Sequence, residues 1–330
     1  MARQRQSGAA LSDQIVARQP LESQGASGNT VERVTLADGR HLICKRVSPE
    51  WDWISRATND RGRALTMWRT GVFERFPPAI EHATVGVEAD GAGWTVFMRD
   101  VSTALLPGDR RLDRAEVRRV LAATAELHVA FSGERFPDLC PLEDRYRLLS
   151  PATARREIQR GNPVGEVIER CWETFSEFVP SDIGDAVLTI AERPRLLAEQ
   201  LGTCEQTLIH GDLRLSNLGF SDDQVVLIDW GERTGSAPAP VELASFLMFD
   251  ARRLDVAPDD VIADFRELQA DHFDERALDL ALIGGLVQLG CHPVLDVVLG
   301  GGDAARASAE RELAWWTTIV ERALERWSPT

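Results

Sequence analysis

The pattern of hydrophobic and polar positions divides this chain into a short β-rich part and a long helical part. In VERVTLADGRHLICKRV, apolar residues alternate on both sides of Asp38-Gly39, a pair typical of a tight hairpin turn. A helix is expected around residues 60–69, and GWTVFMRDV predicts a further strand over residues 93–101. The first third of the chain is therefore expected to form an antiparallel sheet.

Helical spacing dominates the rest of the chain. In RLDRAEVRRVLAATAELHVAF the apolar residues recur every three or four positions, and Asp113 and Glu116 suit the start of a helix. Residues 150–205 and 240–327 also have mainly helical patterns, punctuated by Pro and Gly. These patterns predict an α+β fold of two lobes with a cleft between them. The predicted N-lobe spans residues 1–101 and the predicted C-lobe residues 102–330.

Composition narrows the classes of partner. The chain has 330 residues, 44% of them hydrophobic, and a net charge of -15, which argues against a surface that neutralises nucleic-acid phosphates. An acidic field instead favours a cationic small molecule. The sequence contains no run of about 18 apolar residues, so no membrane span is predicted. The five cysteines include no CxxC pair, so we expect reduced thiols, no zinc site and a cytoplasmic protein.

Lysine usage singles out one position. Lys45 is the single lysine of the sequence, whereas arginine supplies the other basic residues. A compact ammonium differs from a planar guanidinium in the geometry of its contacts. The retained lysine therefore indicates a position at which an ammonium is needed.

Two polar motifs lie in the C-terminal half. HGDLRLSN carries His210, Asp212 and Asn217, and the apolar run VVLIDWG delivers Asp229 to the end of a predicted strand. Phosphoryl transfer needs a carboxylate that orients the attacking hydroxyl, oxygen ligands for magnesium and a cation on the phosphates. Asp212, Asn217, Asp229 and Lys45 supply these groups in the chain order of the protein-kinase signature.

HGDLRLSN together with LIDWG resembles the aminoglycoside phosphotransferase family, whose relatives include choline kinases and eukaryotic-type protein kinases. The resemblance implies a bilobal protein-kinase-like fold with ATP and Mg²⁺ as cofactors. It implies that Asp212 is the catalytic base, that Asn217 and Asp229 bind magnesium, and that His210 braces the catalytic loop. Lys45 would contact the α- and β-phosphates. The adenine would bind the backbone of the hinge formed by Arg99, Asp100 and Val101.

Two assignments are left open by the residues themselves. Arg214 lies where a cation would help the γ-phosphate, but an ordinary ion pair explains it equally well. The loop with Gly25, Ser27 and Gly28 could approach a phosphate through its amides, or it could be a plain turn.

The chain also departs from the family pattern. The predicted helix after the lysine strand, NDRGRALTMW, lacks the Glu that normally pairs with the lysine, so either Asp60 substitutes or the pairing is absent. Glu242 stands where the family commonly has Asp, and it could still brace the catalytic loop. The missing Glu motivates an alternative hypothesis, a catalytically impaired nucleotide-binding regulator.

The leading hypothesis is an ATP- and Mg²⁺-dependent kinase that phosphorylates a hydroxyl of a small molecule. The acceptor would be an aminoglycoside or other antibiotic, an amino sugar or an amino alcohol. Acidic residues of the C-lobe such as Glu143, Asp144 and Asp271 could attract an amine, although solvated helix faces also explain them. Antibiotic resistance, biosynthesis and metabolism all stay open as biological roles.

Overall fold

A computed structural model describes residues 10–21 and 27–327 of the chain. Its N-terminal part is a five-stranded antiparallel sheet with the strand order β1-β2-β3-β6-β5. Two small hydrophobic clusters form its core, one around Val34 and Phe97 and one around Trp94. The strands are β1 (Ile15–Pro20), β2 (Thr30–Leu36), β3 (His41–Val47), β5 (Thr84–Asp90) and β6 (Gly93–Met98).

The predicted hairpin is confirmed. Strands β2 and β3 pair in antiparallel register, and Gly39 in the turn has a φ of 85°, which glycine adopts without strain. Lys45 lies in the central strand β3, opposite Val31 on one side and Val96 on the other. The predicted strand over residues 93–101 ends early, at Met98, because the following residues leave the sheet as the connection to the C-lobe.

The region of the predicted helix contains two short helices, α1 (Trp53–Ala57) and α2 (Arg63–Thr70). The predicted helix over residues 60–69 corresponds to α2 but begins three residues later. The Asp60 carboxylate accepts hydrogen bonds from the amides of Gly62 and Arg63, at 2.8 and 2.9 Å. Asp60 therefore caps the start of α2 instead of belonging to it.

The C-lobe is mainly helical, as predicted. Its first long helix, α3, begins with the expected capping box, in which Asp113 and Glu116 each bind the other's backbone amide. The helices are α3 (Arg114–Ala130), α4 (Leu142–Arg147), α5 (Pro151–Gln159), α6 (Pro163–Phe175), α7 (Ser181–Glu192), α8 (Arg195–Leu201), α9 (Pro240–Asp250), α10 (Pro258–Gln269), α11 (Glu275–Leu289), α12 (Leu295–Val298) and α13 (Gly302–Arg326).

The core of the C-lobe is built around α9 and α11. Every residue of α9 is buried, and α11 is buried from Ala277 to Leu289 except at Asp279. Helix α13 packs against α11 through Leu313, Trp316 and Val320. Helices that are apolar on all sides belong to the centre of a large core. In the described part of the chain, no helix has the length and hydrophobicity needed to cross a membrane.

Short strands at the lobe boundary carry the two polar motifs. β10 pairs with β7, and β4, β9 and β8 form a three-stranded sheet in that order. The loop after β7 (residues 210–217) is here called the catalytic loop, because it carries the expected catalytic residue Asp212. The loop after β9 (residues 228–234) is called the metal loop, because it carries the expected metal ligand Asp229. These strands are β4 (Ile80–Glu81), β7 (Thr207–Ile209), β8 (Leu218–Ser221), β9 (Gln224–Leu227) and β10 (Gly235–Ala237).

Candidate active site

Asp212 lies at the centre of a buried polar cluster in the loop after β7. Its side chain is 4% exposed. The Asn217 amide nitrogen donates to the Asp212 carbonyl at 2.9 Å and to its carboxylate at 3.1 Å. Arg233 forms an ion pair with one carboxylate oxygen at 2.7 Å, and Arg214 approaches the other at 3.4 Å. Two guanidinium groups therefore flank this carboxylate.

The catalytic loop is braced by Glu242 from α9. One oxygen of this buried carboxylate accepts the amide N–H of His210 at 2.5 Å, and the other accepts that of Gly211 at 2.9 Å. Burial acts to raise the pKa of Glu242, but the neighbouring His128 and His210 outweigh it and lower this pKa. The expectation that a glutamate at this position braces the loop is confirmed.

His210 also has the structural role expected of it. Its Nε2 lies 2.9 Å from the carbonyl oxygen of Ile228, and its Nδ1 accepts the amide N–H of Asp212 at 3.1 Å. The ring packs edge-on against Trp230, with 4.4 Å between the ring centroids. His210 therefore connects the catalytic loop to the metal loop, and burial lowers its pKa.

Gly211 occupies a position that admits no side chain. Its φ is +85°, and a Cβ atom there would lie 1.9 Å from the carbonyl oxygen of Arg233 and 2.8 Å from a guanidinium nitrogen of Arg145. Arg145 is fully buried and donates to the Gly211 carbonyl and to Ser245 Oγ. The glycine of the HGD motif is therefore required by the close packing of the two loops.

The metal loop brings Asp229 to the single lysine. Asp229 has a φ of +71°, a conformation that costs energy for a residue with a side chain. Its carboxylate forms an ion pair with Lys45, which lies across the cleft on β3. Burial opposes the charged form, but Lys45 outweighs it and lowers the pKa of Asp229 to about 2. The same pairing raises the pKa of Lys45 against the effect of burial.

Glu232 is the second carboxylate beside the lysine. Its Oε1 lies 3.4 Å from Lys45 Nζ and accepts a hydrogen bond from Asn29 at 3.2 Å. Burial raises the pKa of Glu232 to about 7. Arg63 of α2 donates to the Glu232 carbonyl at 2.7 Å. Asp60 makes no ion pair with Lys45 within the described residues, because its carboxylate caps α2. Of the two alternatives left open by the sequence, substitution by Asp60 is therefore not observed.

The loop before β2 approaches the metal loop through Asn29. Gly28 has a φ of +97°, and a Cβ atom there would lie 2.8 Å from the Trp51 carbonyl oxygen. Ser27 Oγ accepts a hydrogen bond from Asn29 at 3.0 Å, and the Ser27 carbonyl accepts the Trp53 amide. Gly25 of the predicted phosphate-binding loop lies outside the described residues.

The predicted hinge connects β6 to the C-lobe. Arg99 pairs with Glu81 at 2.8 Å, and Asp100 pairs with Arg33 at 2.8 Å, so both side chains have protein partners. The Arg99 amide donates to the Ala83 carbonyl, and the Val101 carbonyl accepts the amide of Ala104. The Arg99 amide and the Val101 carbonyl are therefore both engaged within the protein.

The polar residues singled out in the sequence lie in two connected clusters. Asn217 and Arg214 contact Asp212, while Lys45 contacts Asp229. The sequence did not reveal the buried residues that complete these clusters, because a polar residue outside a motif has no characteristic spacing by which it could be recognised. These residues are Asn29, Arg145, Glu232 and Arg233.

The donor set at the two loops fits a magnesium ion. The Asn217 amide nitrogen is engaged by Asp212, which leaves its oxygen as the free acceptor. Asp229 supplies a carboxylate whose side chain is 31% exposed. Mg²⁺ commonly takes one or two protein oxygens and completes its octahedron with water and phosphate oxygens. Two oxygen donors with one exposed side suit that ion better than a closed transition-metal site.

Structural comparison finds the same architecture in known small-molecule kinases. LicA in complex with AMP, the choline kinase of Streptococcus pneumoniae, matches with a TM-score of 0.52 at 11% identity over 92% of each chain. Choline kinase from Cryptosporidium parvum matches with a TM-score of 0.52 at 11% identity over 96% of this chain and 92% of that chain. An aminoglycoside phosphotransferase in ternary complex with AMP-PNP and hygromycin B has a TM-score of 0.49 at 13% identity, over 92% and 94%.

The two choline kinase matches confirm the predicted α+β architecture of protein-kinase-like fold, with a β-sheet N-lobe and a helical C-lobe. No curated protein matches the sequence significantly. The family model described as the phosphotransferase enzyme family matches residues 19–280, which contain every polar residue of the two clusters. The chain belongs to the phosphotransferase enzyme family.

Proposed function

We propose that this protein transfers the γ-phosphoryl group of ATP to a hydroxyl of a small molecule, with Mg²⁺ as the metal. The proposal is carried by two contacts, each of which joins two of the side chains that phosphoryl transfer needs. Lys45 on β3 contacts Asp229 of the metal loop, and Asn217 holds Asp212 in the catalytic loop. These are the groups that phosphoryl transfer requires.

Asp212 acts as the catalytic base. Arg233 and Arg214 flank its carboxylate, which would accept a hydrogen bond from the acceptor hydroxyl and aim the hydroxyl oxygen at the γ-phosphorus. The new bond joins the acceptor oxygen to phosphorus, the bond from phosphorus to the β,γ-bridging oxygen breaks, and the hydroxyl proton passes to Asp212. Arg214, 34% exposed, is free on one side to contact the transferring group.

Asn217 and Asp229 would hold the magnesium through their side-chain oxygens. When bound, the ion neutralises charge on the phosphate oxygens and orients them for in-line transfer. The positive φ of Asp229 directs its carboxylate towards the cleft and Lys45. The chain therefore has a preformed oxygen donor on each of the two loops that flank the cleft.

Lys45 would bind the α- and β-phosphates, and Glu232 would replace the helix glutamate as its partner. Both Glu232 and Asp229 contact the ammonium, so the lysine would keep Glu232 as its partner when Asp229 binds a metal ion. This partner removes the main reason for considering a catalytically impaired regulator. Adenine would bind the hinge backbone from Arg99 to Val101, and the AMP complex of LicA supports a nucleotide in such a cleft.

The family and the neighbouring choline kinases support an acceptor that is an aminoglycoside or other antibiotic, an amino sugar or an amino alcohol. Aminoglycosides, amino sugars and amino alcohols all offer a hydroxyl near an amine. Two acidic residues considered as amine ligands already have protein partners. Glu143 pairs with Arg147, and Asp144 accepts a hydrogen bond from Asn59 at 3.0 Å. An amine of the acceptor would therefore need other carboxylates of the C-lobe.

The test is ADP release by the purified protein with Mg-ATP across a panel of aminoglycosides, other antibiotics, amino sugars, choline and homoserine. We expect one acceptor class to raise ADP release, and Asp212→Ala to abolish the increase. Asp223→Ala, which removes an exposed carboxylate from the turn between β8 and β9, is the matched control and should keep full activity.

Equal activity of Asp212→Ala and the control would refute the catalytic assignment. Tight binding of Mg-ATP with no acceptor-dependent ADP release over the whole panel would instead favour the regulator hypothesis. Transfer of label from γ-labelled ATP to proteins rather than to small molecules would redirect the proposal to a protein kinase.

A further inference from the structure

A second concave site lies at the joint between the two lobes. A groove of about 360 Å³ runs between α1 with the following turn and helix α5 of the C-lobe. Small-molecule sites in proteins typically have volumes of ~300–1,000 Å³. The groove shares no lining residue with the two polar clusters of the candidate active site. Arginines dominate its rim, namely Arg56, Arg61, Arg156 and Arg160.

The charge of this groove is opposite to that of the whole chain. Four arginines and two acidic residues line it, whereas the chain carries a net charge of -15. Arg56 and Glu157 neutralise each other through two hydrogen bonds of 2.6 and 3.2 Å. Glu157, 3% exposed, also accepts a hydrogen bond from Asn162 at 2.8 Å, so its charge is fully engaged.

Three arginines of the rim keep their charge available. Within the described residues, Arg61, Arg156 and Arg160 form no ion pair, and all three are exposed. Arg156 has a single side-chain hydrogen bond, to Thr153 Oγ1 at 2.8 Å. The groove therefore presents guanidinium groups without an ion-pair partner among the described residues, and their planar donors suit carboxylates and phosphates.

The lining also contains buried polar atoms that lack a partner. Ser55 is 0% exposed and Asp60 is 2% exposed. Ser55 Oγ and Asp60 Oδ2 find no hydrogen-bond partner in the part of the chain that the structure describes. A buried polar atom without a partner is costly and calls for an explanation. A ligand hydroxyl can donate to Asp60 Oδ2 and bond with Ser55 Oγ, which would satisfy both atoms.

We infer that this groove binds a small organic anion that also carries hydroxyl groups. Arg61, Arg156 and Arg160 take its phosphate or carboxylate, while Ser55 and Asp60 take its hydroxyls. The site is separate from the proposed transfer chemistry, and it connects the two lobes because its walls come from both. Binding measurements alone test this site, and the outcome does not depend on whether the protein is a kinase.

The test is calorimetric titration of the nucleotide-free protein with glucose 6-phosphate, citrate and inorganic phosphate, with glucose as the uncharged comparison. The triple variant Arg61→Ala, Arg156→Ala and Arg160→Ala removes the free charges. A control triple, Arg193→Ala, Arg311→Ala and Arg322→Ala, removes the same charge from exposed arginines elsewhere. Ser55→Ala removes one buried hydroxyl and leaves every arginine in place.

We expect at least one anion to bind the wild type and the control triple equally. Its affinity should fall about tenfold for each arginine removed from the groove. Ser55→Ala should weaken glucose 6-phosphate more than inorganic phosphate, since only the sugar brings hydroxyls. Absence of binding by all three anions up to solubility, or equal binding by the two triple variants, would overturn the inference. Binding of citrate alone would assign the site to carboxylates, and binding of the two phosphates alone would assign it to phosphates.

Discussion

Glu242→Ala is the substitution that most directly tests how the catalytic loop is held. The carboxylate accepts the backbone N–H groups of His210 and Gly211, and all of these groups are buried. Alanine leaves two buried donors without an acceptor, at a cost of about 1–3 kcal/mol each. The free energy of unfolding should therefore fall by about 2–6 kcal/mol, a large part of the stability of an ordinary domain.

Glu242→Gln separates this hydrogen bonding from the loss of volume. The amide retains one oxygen acceptor and turns its NH₂ group towards the second backbone donor, so we expect a loss of about half the alanine value. Urea unfolding followed by circular dichroism gives both free energies, and kcat with the identified acceptor reports the position of Asp212. Glu166→Ala, an exposed glutamate of α6, is the control and should change stability by less than about 0.5 kcal/mol. A Glu242→Ala protein within about 1 kcal/mol of the wild type would refute the bracing role.

Three further predictions concern other parts of the structure. Gly211→Ala should cost about 3 kcal/mol or more in urea unfolding, because its Cβ would lie 1.9 Å from the Arg233 carbonyl oxygen at a φ of +85°; a loss under about 1 kcal/mol would contradict it. Burial lowers the pKa of His292 from 6.5 to about 4, so its stabilising effect is complete above pH 6.5 and is lost as the pH falls towards 4. Between pH 6.5 and 4, the free energy of unfolding of His292→Gln should therefore fall by about 3 kcal/mol less than that of the wild type. A variant with the same pH profile of unfolding as the wild type would contradict this prediction. Glu232→Gln should raise the KM for ATP about tenfold or more with a smaller change in kcat, whereas equal kinetics would show that Lys45 needs no second carboxylate.

The architecture and the motif residues could be predicted because they depend on local pattern. Alternation on both sides of Asp38-Gly39 predicted the β2–β3 hairpin, and helical spacing with the Asp113 and Glu116 pair predicted α3. The spacing from Asp212 to Asn217 predicted that both side chains lie together, and Asn217 donates to the Asp212 carboxylate. In each case the residues concerned are close in sequence, so backbone geometry alone brings them together.

The partner of Lys45 could not be predicted, because it depends on contacts between distant segments. The ammonium lies on β3, whereas Glu232 lies in the metal loop after β9. The family pattern places the partner of the lysine in the helix after β3, where Asp60 is the candidate acid. The Asp60 carboxylate instead caps α2. Arg233 was overlooked for the same reason, since its contact with Asp212 joins two loops that are separated in sequence.

Helices α1 and α2 lack the family's glutamate, and both contribute contacts between the two lobes. Arg56 of α1 binds Glu157 of α5, and Arg63 of α2 donates to the Glu232 carbonyl. A helix glutamate would pair with the lysine inside the N-lobe, whereas the pairs of Lys45 with Glu232 and Asp229 bridge the two lobes. The position of the lysine therefore depends on how closely the lobes approach each other. Because Arg63 donates to the Glu232 carbonyl, α2 helps to position the second carboxylate that contacts Lys45, although α2 itself supplies no acidic partner to the lysine.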